Sequence, residues 1–292
     1  MAEVDKALVQ QFSDNFNILA QQTKSRLEST VTVKTGIVGT SYRDDSVGGS
    51  EAEDITTRGG DITGGDLPQQ GRYVDMIDTD WWKWVYEFDE QKMLADPKSP
   101  YLRMGVAALN RKKDARIIYA LQNSARQVKE DGTSELIALP TAEKIVVAGA
   151  GLTKAKLIST LEILGIAEAT GEDEGEDQVT FVLTQKQISD LLGDTTLTSA
   201  EYVSVQMLMS GKPGNFLGFN FVRTQLLPKV ATTRYCYAYA KSGVLLGIGK
   251  DVNTTISIRT DKRGHPWQPY SRMTTGAVRR EDVKVVEIAC AE

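Results

Sequence analysis

The feature that most constrains this chain is a long polar segment at residues 44–71, with the sequence DDSVGGSEAEDITTRGGDITGGDLPQQG. It holds seven glycines and seven acidic residues against one basic residue, Arg58. No apolar periodicity runs through it, which predicts a mobile loop of unusual length. Strand-like sequences flank it, TVTVKTGIV before and GRYVDMIDTDWWKWVYEF after. Together they predict an extended hairpin. An isolated two-stranded ribbon is marginal in water, so the pattern also indicates oligomerisation.

Four aromatic residues follow the loop at every second position: Trp82, Trp84, Tyr86 and Phe88. Successive side chains of a strand point to opposite faces, so all four rings would share one face. We interpret this face first as part of an aromatic core. The later trio Tyr235, Tyr237 and Tyr239 alternates in the same way and is also assigned to core or interface packing.

The N-terminal segment carries a thin apolar stripe at helical spacing, formed by Val4, Leu8, Phe12, Phe16 and Leu19. A stripe this narrow needs another surface to cover it. The sequence leaves two alternatives open. The helix either docks on its own domain or lies as an arm on a neighbouring subunit.

The strongest helical pattern covers residues 99–130, with Ser99 and Pro100 as its start and Gly132 as its stop. About 30 residues at 1.5 Å each would make a rod of roughly 45 Å. A basic cluster lies on it, formed by Arg111, Lys112, Lys113 and Arg116. Such clusters are usually solvated or ion-paired, and the net charge of −5 argues against a dedicated DNA-binding protein.

Residues 140–250 alternate between strand-like and helix-like stretches, and strand-like sequences return after residue 255. The predicted fold class is therefore α+β. Helices are expected at TKAKLISTLEILGIA, TQKQISDLLG and SAEYVSVQMLMSG, and the acidic run GEDEGED at 171–177 is expected to be a surface loop.

The chain offers few groups for catalysis. It has one histidine, His265, and two distant cysteines, Cys236 and Cys290, so metal, dithiol and disulfide-scaffold chemistry find little support. No apolar run approaches the length of a membrane span, and the N-terminus lacks the pattern of a secretory signal. We therefore expect a protein that is not an enzyme, has no cofactor and does not associate with membranes.

One stretch, IVVAGAGLTKAKL, imitates a dinucleotide fingerprint through Gly149 and Gly151. The third glycine of that fingerprint is replaced by Lys154, and the ribose-binding acid is missing. A nucleotide-binding α/β enzyme is thus the weakest alternative. Asp61 and Asp66 lack the spacing of a calcium loop and are expected to be solvated.

The order of these elements resembles the major capsid proteins of tailed bacteriophages, which have the Hong Kong 97-type fold. Four stretches carry the resemblance: VQQFSDNFNILAQQTKSRLESTV, KMLADPKSPYLRMGVAALNRKKDARII, SAEYVSVQMLMSGKPGNFLGFNFVRTQLLP, and AYAKSGVLLGIGKDVNTTISIRTDKR followed by GAVRREDVKVVEIACAE. The resemblance covers nearly the whole chain.

The resemblance implies a division into five regions. Residues 1–33 would be an N-terminal arm and residues 34–88 an extended loop that overlaps a neighbouring subunit. Residues 89–149 would form a peripheral domain with a long spine helix, 150–250 an axial α/β domain, and 251–292 the strands that return to the peripheral domain.

The implied function is that of a structural subunit of an icosahedral head, which assembles into pentamers and hexamers around double-stranded DNA. Expected partners are the chain itself, a portal, a decoration or cement protein, and a separate scaffolding protein, because the arm begins close to Met1. The protein would be made in the bacterial cytoplasm and reside in the virion. An encapsulin-like compartment shell is the alternative with the same architecture.

Two sets of residues are predicted to carry the assembly. Contacts between subunits are assigned to Phe12, Phe16, Arg26, Arg43, Arg58, Asp61, Arg72 and Trp82. The basic cluster of Arg111, Lys112, Lys113 and Arg116 is predicted to face the lumen.

Overall fold

A computed structural model describes residues 19–48, 52, 54, 69–86, 98–129, 132–169, 178–193 and 215–292. This part of the chain has a mixed α+β fold, as predicted. Among the predictions that lie outside it are the amphipathic stripe at residues 4–16, the helix at 199–211 and the acidic loop at 171–177.

The described part of the chain contains three α-helices that lie between groups of strands. The helices are α1 (Lys98–Gln122), α2 (Lys154–Ile166) and α3 (Gln185–Gly193). The first strands are β1 (Thr32–Thr35), β2 (Ser41–Val47), β3 (Gln69–Asp75), β4 (Ile77–Trp82), β5 (Ala125–Val128), β6 (Ser134–Ile137) and β7 (Lys144–Ile145). The later strands are β8 (Val179–Leu183), β9 (Asn215–Phe216), β10 (Phe219–Arg223), β11 (Lys229–Val230), β12 (Thr233–Ala240), β13 (Val244–Ile258), β14 (Trp267–Arg279) and β15 (Val285–Ala291).

The long hairpin is present, and its paired part is longer than predicted. Strands β2 and β3 are antiparallel, and their register runs from Ser41 opposite Asp75 to Val47 opposite Gln69. The ends of the predicted loop at 44–47 and 69–71 are therefore strand. The acidic sequence misled the prediction because Asp44 is buried and ion-paired, which a count of loop-forming residues cannot detect.

The strands form three sheets. One has the order β1-β13-β14-β4, a second the order β2-β3-β5-β6, and a third the order β7-β15-β12-β8-β10-β9, with β11 paired to β12. The last strand, β15, lies between β7 and β12, so it belongs to the sheet of the α/β block rather than to that of β13 and β14. The assignment of peripheral and axial domains stays a prediction.

Helix α1 ends earlier than the sequence predicted. At its end the Tyr119 carbonyl accepts from the backbone amide and from the side-chain Nδ2 of Asn123, at 3.0 and 3.1 Å. The helix has 25 residues, or about 37 Å. Gly132, the predicted stop, has a positive φ of 79° and lies in the turn between β5 and β6, where its amide donates to the Lys129 carbonyl.

The chain divides into two compact units. The first comprises residues 1–25, 78–113 and 250–274, and the second comprises residues 26–77, 114–249 and 275–292. Elements such as α1, β13 and β14 contribute residues to both.

The core of the second unit is built around β8, β10 and β12. Phe181 packs against Phe219 and Phe221, with ring centroids 5.5 and 5.4 Å away. Tyr237 and Tyr239 are fully buried, which confirms the packing role predicted for the alternating tyrosines. Burial raises the pKa of Tyr239 above its usual range, and its hydroxyl lies 2.7 Å from that of Thr30.

The buried state of Tyr239 predicts a loss of stability in alkali. A free tyrosine ionises near pH 10, so the unfolded chain releases this proton above that pH while the folded chain retains it. This contribution is fully present below about pH 10 and falls by up to about 1.4 kcal/mol per pH unit above it. Urea unfolding at pH 8 and pH 11 should show a smaller alkaline loss for Tyr239→Phe than for the unsubstituted protein. Parallel losses would contradict the assignment.

Candidate assembly surfaces

The base of the β2–β3 hairpin is held by a group of charged residues that we call the hairpin anchor: Asp44, Arg72, Arg279, Arg280 and Asp282. Asp282 accepts from Arg72 Nη2 at 2.7 Å and from Arg279 Nε at 2.5 Å. Asp44 accepts from Nε and Nη2 of Arg280 at 2.5 and 3.1 Å. Both strands of the hairpin are thus paired with the segment that joins β14 to β15.

Arg279 links the anchor to the end of helix α1. It is fully buried, and its Nη1 donates to the carbonyls of Leu121 and Asn123 at 3.2 and 3.0 Å. Its Nη2 donates to the Ile137 carbonyl at 3.1 Å. The last carbonyls of a helix carry partial negative charge and lack partners within the helix, so a guanidinium satisfies them well. One side chain therefore joins the helix end, β6 and the hairpin.

Away from the anchor, the sheet of the hairpin presents an exposed surface. Arg43 and Asp45 form an exposed ion pair on β2, and Val47 is exposed beside them. Leu136 is exposed on β6. Strands β2 and β6 are the two edges of this sheet in the described part of the chain. Edge strands carry backbone groups that can pair with another chain.

The first unit exposes three large rings, which we call the aromatic face: Trp82, Trp84 and Tyr86. Their exposed fractions are 45%, 41% and 38%, and the centroids of the two tryptophan rings are 5.3 Å apart. The prediction that they form a core strand is wrong for this chain, because β4 ends at Trp82 and the neighbouring ring that packs inward is Trp81, against Gly105. Phe88 lies outside the described residues.

The predicted basic cluster on α1 is not one continuous surface. Lys113 is buried and pairs with Asp251 at 3.2 Å, so it is withdrawn from the lumen-facing set. Burial alone would raise the pKa of Asp251, but the Val252 amide and Lys113 lower it. Arg111 is half-buried and donates to the Gln21 side chain and the Gln22 carbonyl.

Two members of the cluster remain toward the surface. Lys112 is exposed and Arg116 is half-buried, and burial lowers the pKa of Arg116. The direction in which these residues face in an assembly stays a prediction.

The residues predicted to contact other subunits fall into three groups. Arg43 and Trp82 are exposed, as is Arg26, whose Nη1 donates to the Arg223 carbonyl at 2.6 Å. Arg72 is buried in the anchor, so it is withdrawn from the surface set because its charge is used inside the chain. The others lie outside the described residues: Phe12, Phe16, Arg58 and Asp61.

The loop after β7, which contains Gly149 and Gly151, does not present the amide groups that a phosphate site requires. Lys156 is buried, and its ammonium donates to the carbonyls of Val147, Ala150 and Gly151 at 2.9 to 3.0 Å, and to that of Ala289 at 2.8 Å. A phosphate cradle points amide N–H groups at its ligand, whereas this loop points carbonyl oxygens at an ammonium. The helix that follows is capped by its own Thr153 side chain.

A comparison with known protein families identifies the chain. A sequence profile described as phage capsid protein matches residues 4–292. The chain belongs to the phage capsid protein family. Membership makes it a structural capsid subunit of a virion, the class predicted from the sequence.

Solved phage capsids share its fold. The capsid of cyanophage P-SCSP1u has a TM-score of 0.71 at 16% identity and covers 99% of this chain and 94% of its own. The capsid of Ralstonia phage GP4 has a TM-score of 0.69 at 14% identity, with coverages of 100% and 97%. That of Helicobacter pylori bacteriophage KHP30 has 0.69 at 11% identity, with coverages of 99% and 96%. These neighbours are assemblies, which supports self-association of a phage capsid protein into a shell.

Two further comparisons are negative. No curated protein matches this sequence. In the part of the chain that the structure describes, no helix has the length and apolarity needed to cross a membrane.

Sequence reasoning missed the residues that hold the hairpin in place. The turn sequence RREDVK contains Arg279, Arg280 and Asp282, and its density of charges of both signs was the available signal. Nothing in the sequence showed that Arg279 is buried or that Arg280 and Asp282 pair with the buried Asp44 and Arg72. Lys156 was missed because a lysine in the first turn of a predicted helix is ordinarily solvated.

The hairpin anchor predicts that removing the Arg279 side chain greatly lowers the free energy of unfolding. Arg279→Leu leaves the Asp282 carboxylate and three carbonyls without this donor, and breaking a buried ion pair on one side costs about 3–5 kcal/mol. Urea unfolding of the isolated subunit measures this loss. The matched control is Arg43→Leu, which removes an exposed ion pair on the hairpin strand β2 and should leave the unfolding midpoint nearly unchanged. Equal midpoints for the two variants would contradict the anchor.

The four carbonyls that accept from the Lys156 ammonium form what we call the carbonyl cage. This cage predicts that Lys156→Met lowers the free energy of unfolding, by less than Arg279→Leu does. The methionine keeps the length of the side chain but removes the donor for four carbonyls, and unsatisfied buried polar groups cost about 1–3 kcal/mol. The control is Lys186→Met, since Lys186 is exposed on α3 and pairs with Asp190 one turn away. A Lys156→Met protein as stable as this control would refute the cage.

Proposed function

We propose that this chain is the major shell subunit of a tailed-phage head, in which pentamers and hexamers enclose double-stranded DNA. The observation that carries the proposal is the family match over residues 4–292, together with its agreement with the fold of solved capsids. The proposed partners are other copies of the chain, a portal, a separate scaffolding protein and a decoration or cement protein. Synthesis would take place in the bacterial cytoplasm.

The hairpin is proposed to be the main device of assembly. Residues 48–68 lie beyond the last paired positions, Val47 and Gln69, and the anchor holds the two strands that lead to them. Because the anchor fixes the two strands, we propose that residues 48–68 bury their surface on a neighbouring subunit. A contact repeated by rotation closes a shell without any single contact being strong. The predicted contacts of Arg58 and Asp61 belong to this segment.

The proposed lumenal surface carries a weak positive charge on a subunit that is acidic overall. It comprises Lys112 with Arg111 and Arg116, while the net charge of the chain is −5. Phosphate contacts by many cations would bind DNA tightly. A few cations on an acidic wall allow the DNA to be enclosed without being held at fixed positions.

Replacing residues 48–68 with Asn-Gly tests the role of the hairpin. Val47 and Gln69 are opposite each other, so a two-residue turn closes the strands without changing their register. The variant should keep the circular dichroism and urea midpoint of the full chain but lose particle formation, measured by sedimentation and negative-stain microscopy after expression with the scaffolding protein. The control replaces residues 130–131, which lie between β5 and β6 in the sequence, with the same dipeptide and should assemble. Normal particles from the 48–68 replacement would refute the proposal.

A further inference from the structure

The aromatic face is a built surface rather than three isolated rings. The ring centroids of Trp82 and Trp84 are 5.3 Å apart with the ring planes tilted by 40°. A Cβ at Gly264 would lie 3.6 Å from the Tyr86 ring, so the β13–β14 turn borders the same surface. Exposed aromatic groups of this size are uncommon on a monomer and usually mark an interaction site.

The ammonium group of Lys262 lies over this face. Lys262 Nζ lies 5.9 Å from the centroid of Trp84. Its backbone is held in a tight turn, because its amide donates to the Arg259 carbonyl and its carbonyl accepts from the His265 amide. The nearby carboxylate of Asp261 is paired with Arg259 at 2.8 Å. The ammonium of Lys262 therefore supplies positive charge next to flat apolar rings.

The chain contains a segment with the complementary chemistry. Residues 59–66 read GGDITGGD, in which two glycine pairs each precede an aspartate, Asp61 and Asp66. Glycine has no side chain, so a glycine pair lets the backbone lie flat against an aromatic ring. The carboxylates of these two aspartates supply negative charge that is complementary to the Lys262 ammonium. The whole of residues 48–68 carries five acids and one base, Arg58.

The reach of the segment suits a contact between copies. Residues 48–68 join the end of β2 to the start of β3, and half of that length at about 3.3 Å per residue gives a reach of roughly 30 Å from Val47 and Gln69. Every copy carries one such segment and one aromatic face. In a closed head-to-tail ring, each segment would therefore bind the face of the next copy, and no face would be left uncovered.

We propose that the GGDITGGD segment of one copy docks on the aromatic face of a second copy, with Asp61 or Asp66 paired to Lys262. The inference rests on the proposed shell function and adds to it the surface that receives the hairpin. It assigns a role to the repeated glycine–aspartate motif, which does not fit a calcium loop, and to the exposed tryptophans, which do not belong to the core of their own chain.

The direct test is a zero-length cross-link in assembled particles. Light and ¹⁵N-labelled subunits are mixed before assembly, treated with a carbodiimide that joins carboxylates to amines, digested and read by mass spectrometry. The expected product joins Lys262 to Asp61 or Asp66, with light–heavy pairs as abundant as random mixing dictates, and is absent from unassembled subunits. Particles that form without this product, or with it only inside one copy, would overturn the inference and leave the shell function intact. A failure to form particles under any condition would contradict the shell function itself.

Charge exchange provides an independent test. Lys262→Glu should lower particle yield by about tenfold or more, because like charges would then meet at every contact. Lys262→Arg should assemble normally while losing the cross-link, since a guanidinium keeps the charge but does not form the amide. The triple variant Lys262→Glu, Asp61→Lys, Asp66→Lys should recover yield. Lack of recovery, when the triple variant is as stable to urea as Lys262→Glu, would overturn the pairing.

The rings are tested separately from the charge. Trp84→Ala should reduce particle yield and Trp84→Phe should largely retain it, because the phenyl ring preserves a flat apolar surface. The control is Tyr119→Ala, at an exposed ring on helix α1 that the inference does not use. Other occupants of the face are also distinguishable. Quenching of the tryptophan fluorescence of unassembled subunits by DNA, or by a decoration protein, without the Lys262 cross-link in particles would overturn the proposal.

Discussion

The arrangement of the hairpin depends on one buried guanidinium. Arg279 satisfies the last carbonyls of helix α1 and shares the Asp282 carboxylate with Arg72 of strand β3. Charges removed from water are costly unless each is paired and hydrogen-bonded, and here the pairing is possible only when helix end, hairpin and terminal turn are in place together. The same contacts that stabilise the unit therefore also set the direction in which the hairpin leaves it.

The proposed division between a fixed base and a segment, residues 48–68, that contacts a neighbour fits the needs of a shell subunit. Each subunit of a closed shell meets several neighbours, and arms that cross to another copy increase the buried area beyond that of the compact bodies. The base must not change while the contacts form, which is what buried ion pairs provide. The exposed Arg43–Asp45 pair and the aromatic face lie on surfaces that another copy can reach.

Local patterns in the sequence predicted much of the fold. Helices α2 and α3 were recovered because their buried positions recur every three or four residues. Strands β8 and β12 are buried on both faces, and they were recovered because they are rich in β-branched and aromatic residues. The prediction extended α1 past Gln122, since the stretch after it contains helix-forming residues and only the β5–β6 pairing shows that it is strand. The order of elements, compared with a known fold, indicated the function better than any short motif.

The candidate site was less accessible to sequence reasoning because burial of charge is a tertiary property. Arg72 and Lys113 resemble surface cations in the sequence, but Asp282 and Asp251, both more than 100 positions away, hold them inside the chain. The tryptophans present the opposite case, since their pattern favoured a core and the chain leaves them exposed. Both errors have the same origin: the two charged residues were assigned to the solvent-exposed surface, and the aromatic rings were assigned to the interior.

The most direct test is an electron cryomicroscopy reconstruction of particles assembled from this chain, with the proposed scaffolding protein if assembly requires it. The account predicts a closed shell in which residues 48–68 of each subunit cross to a neighbour, while Arg279 and Asp282 remain paired at the base of the hairpin. A shell in which each hairpin folds back on its own subunit would contradict the assembly mechanism. Subunits that form no shell would contradict the function.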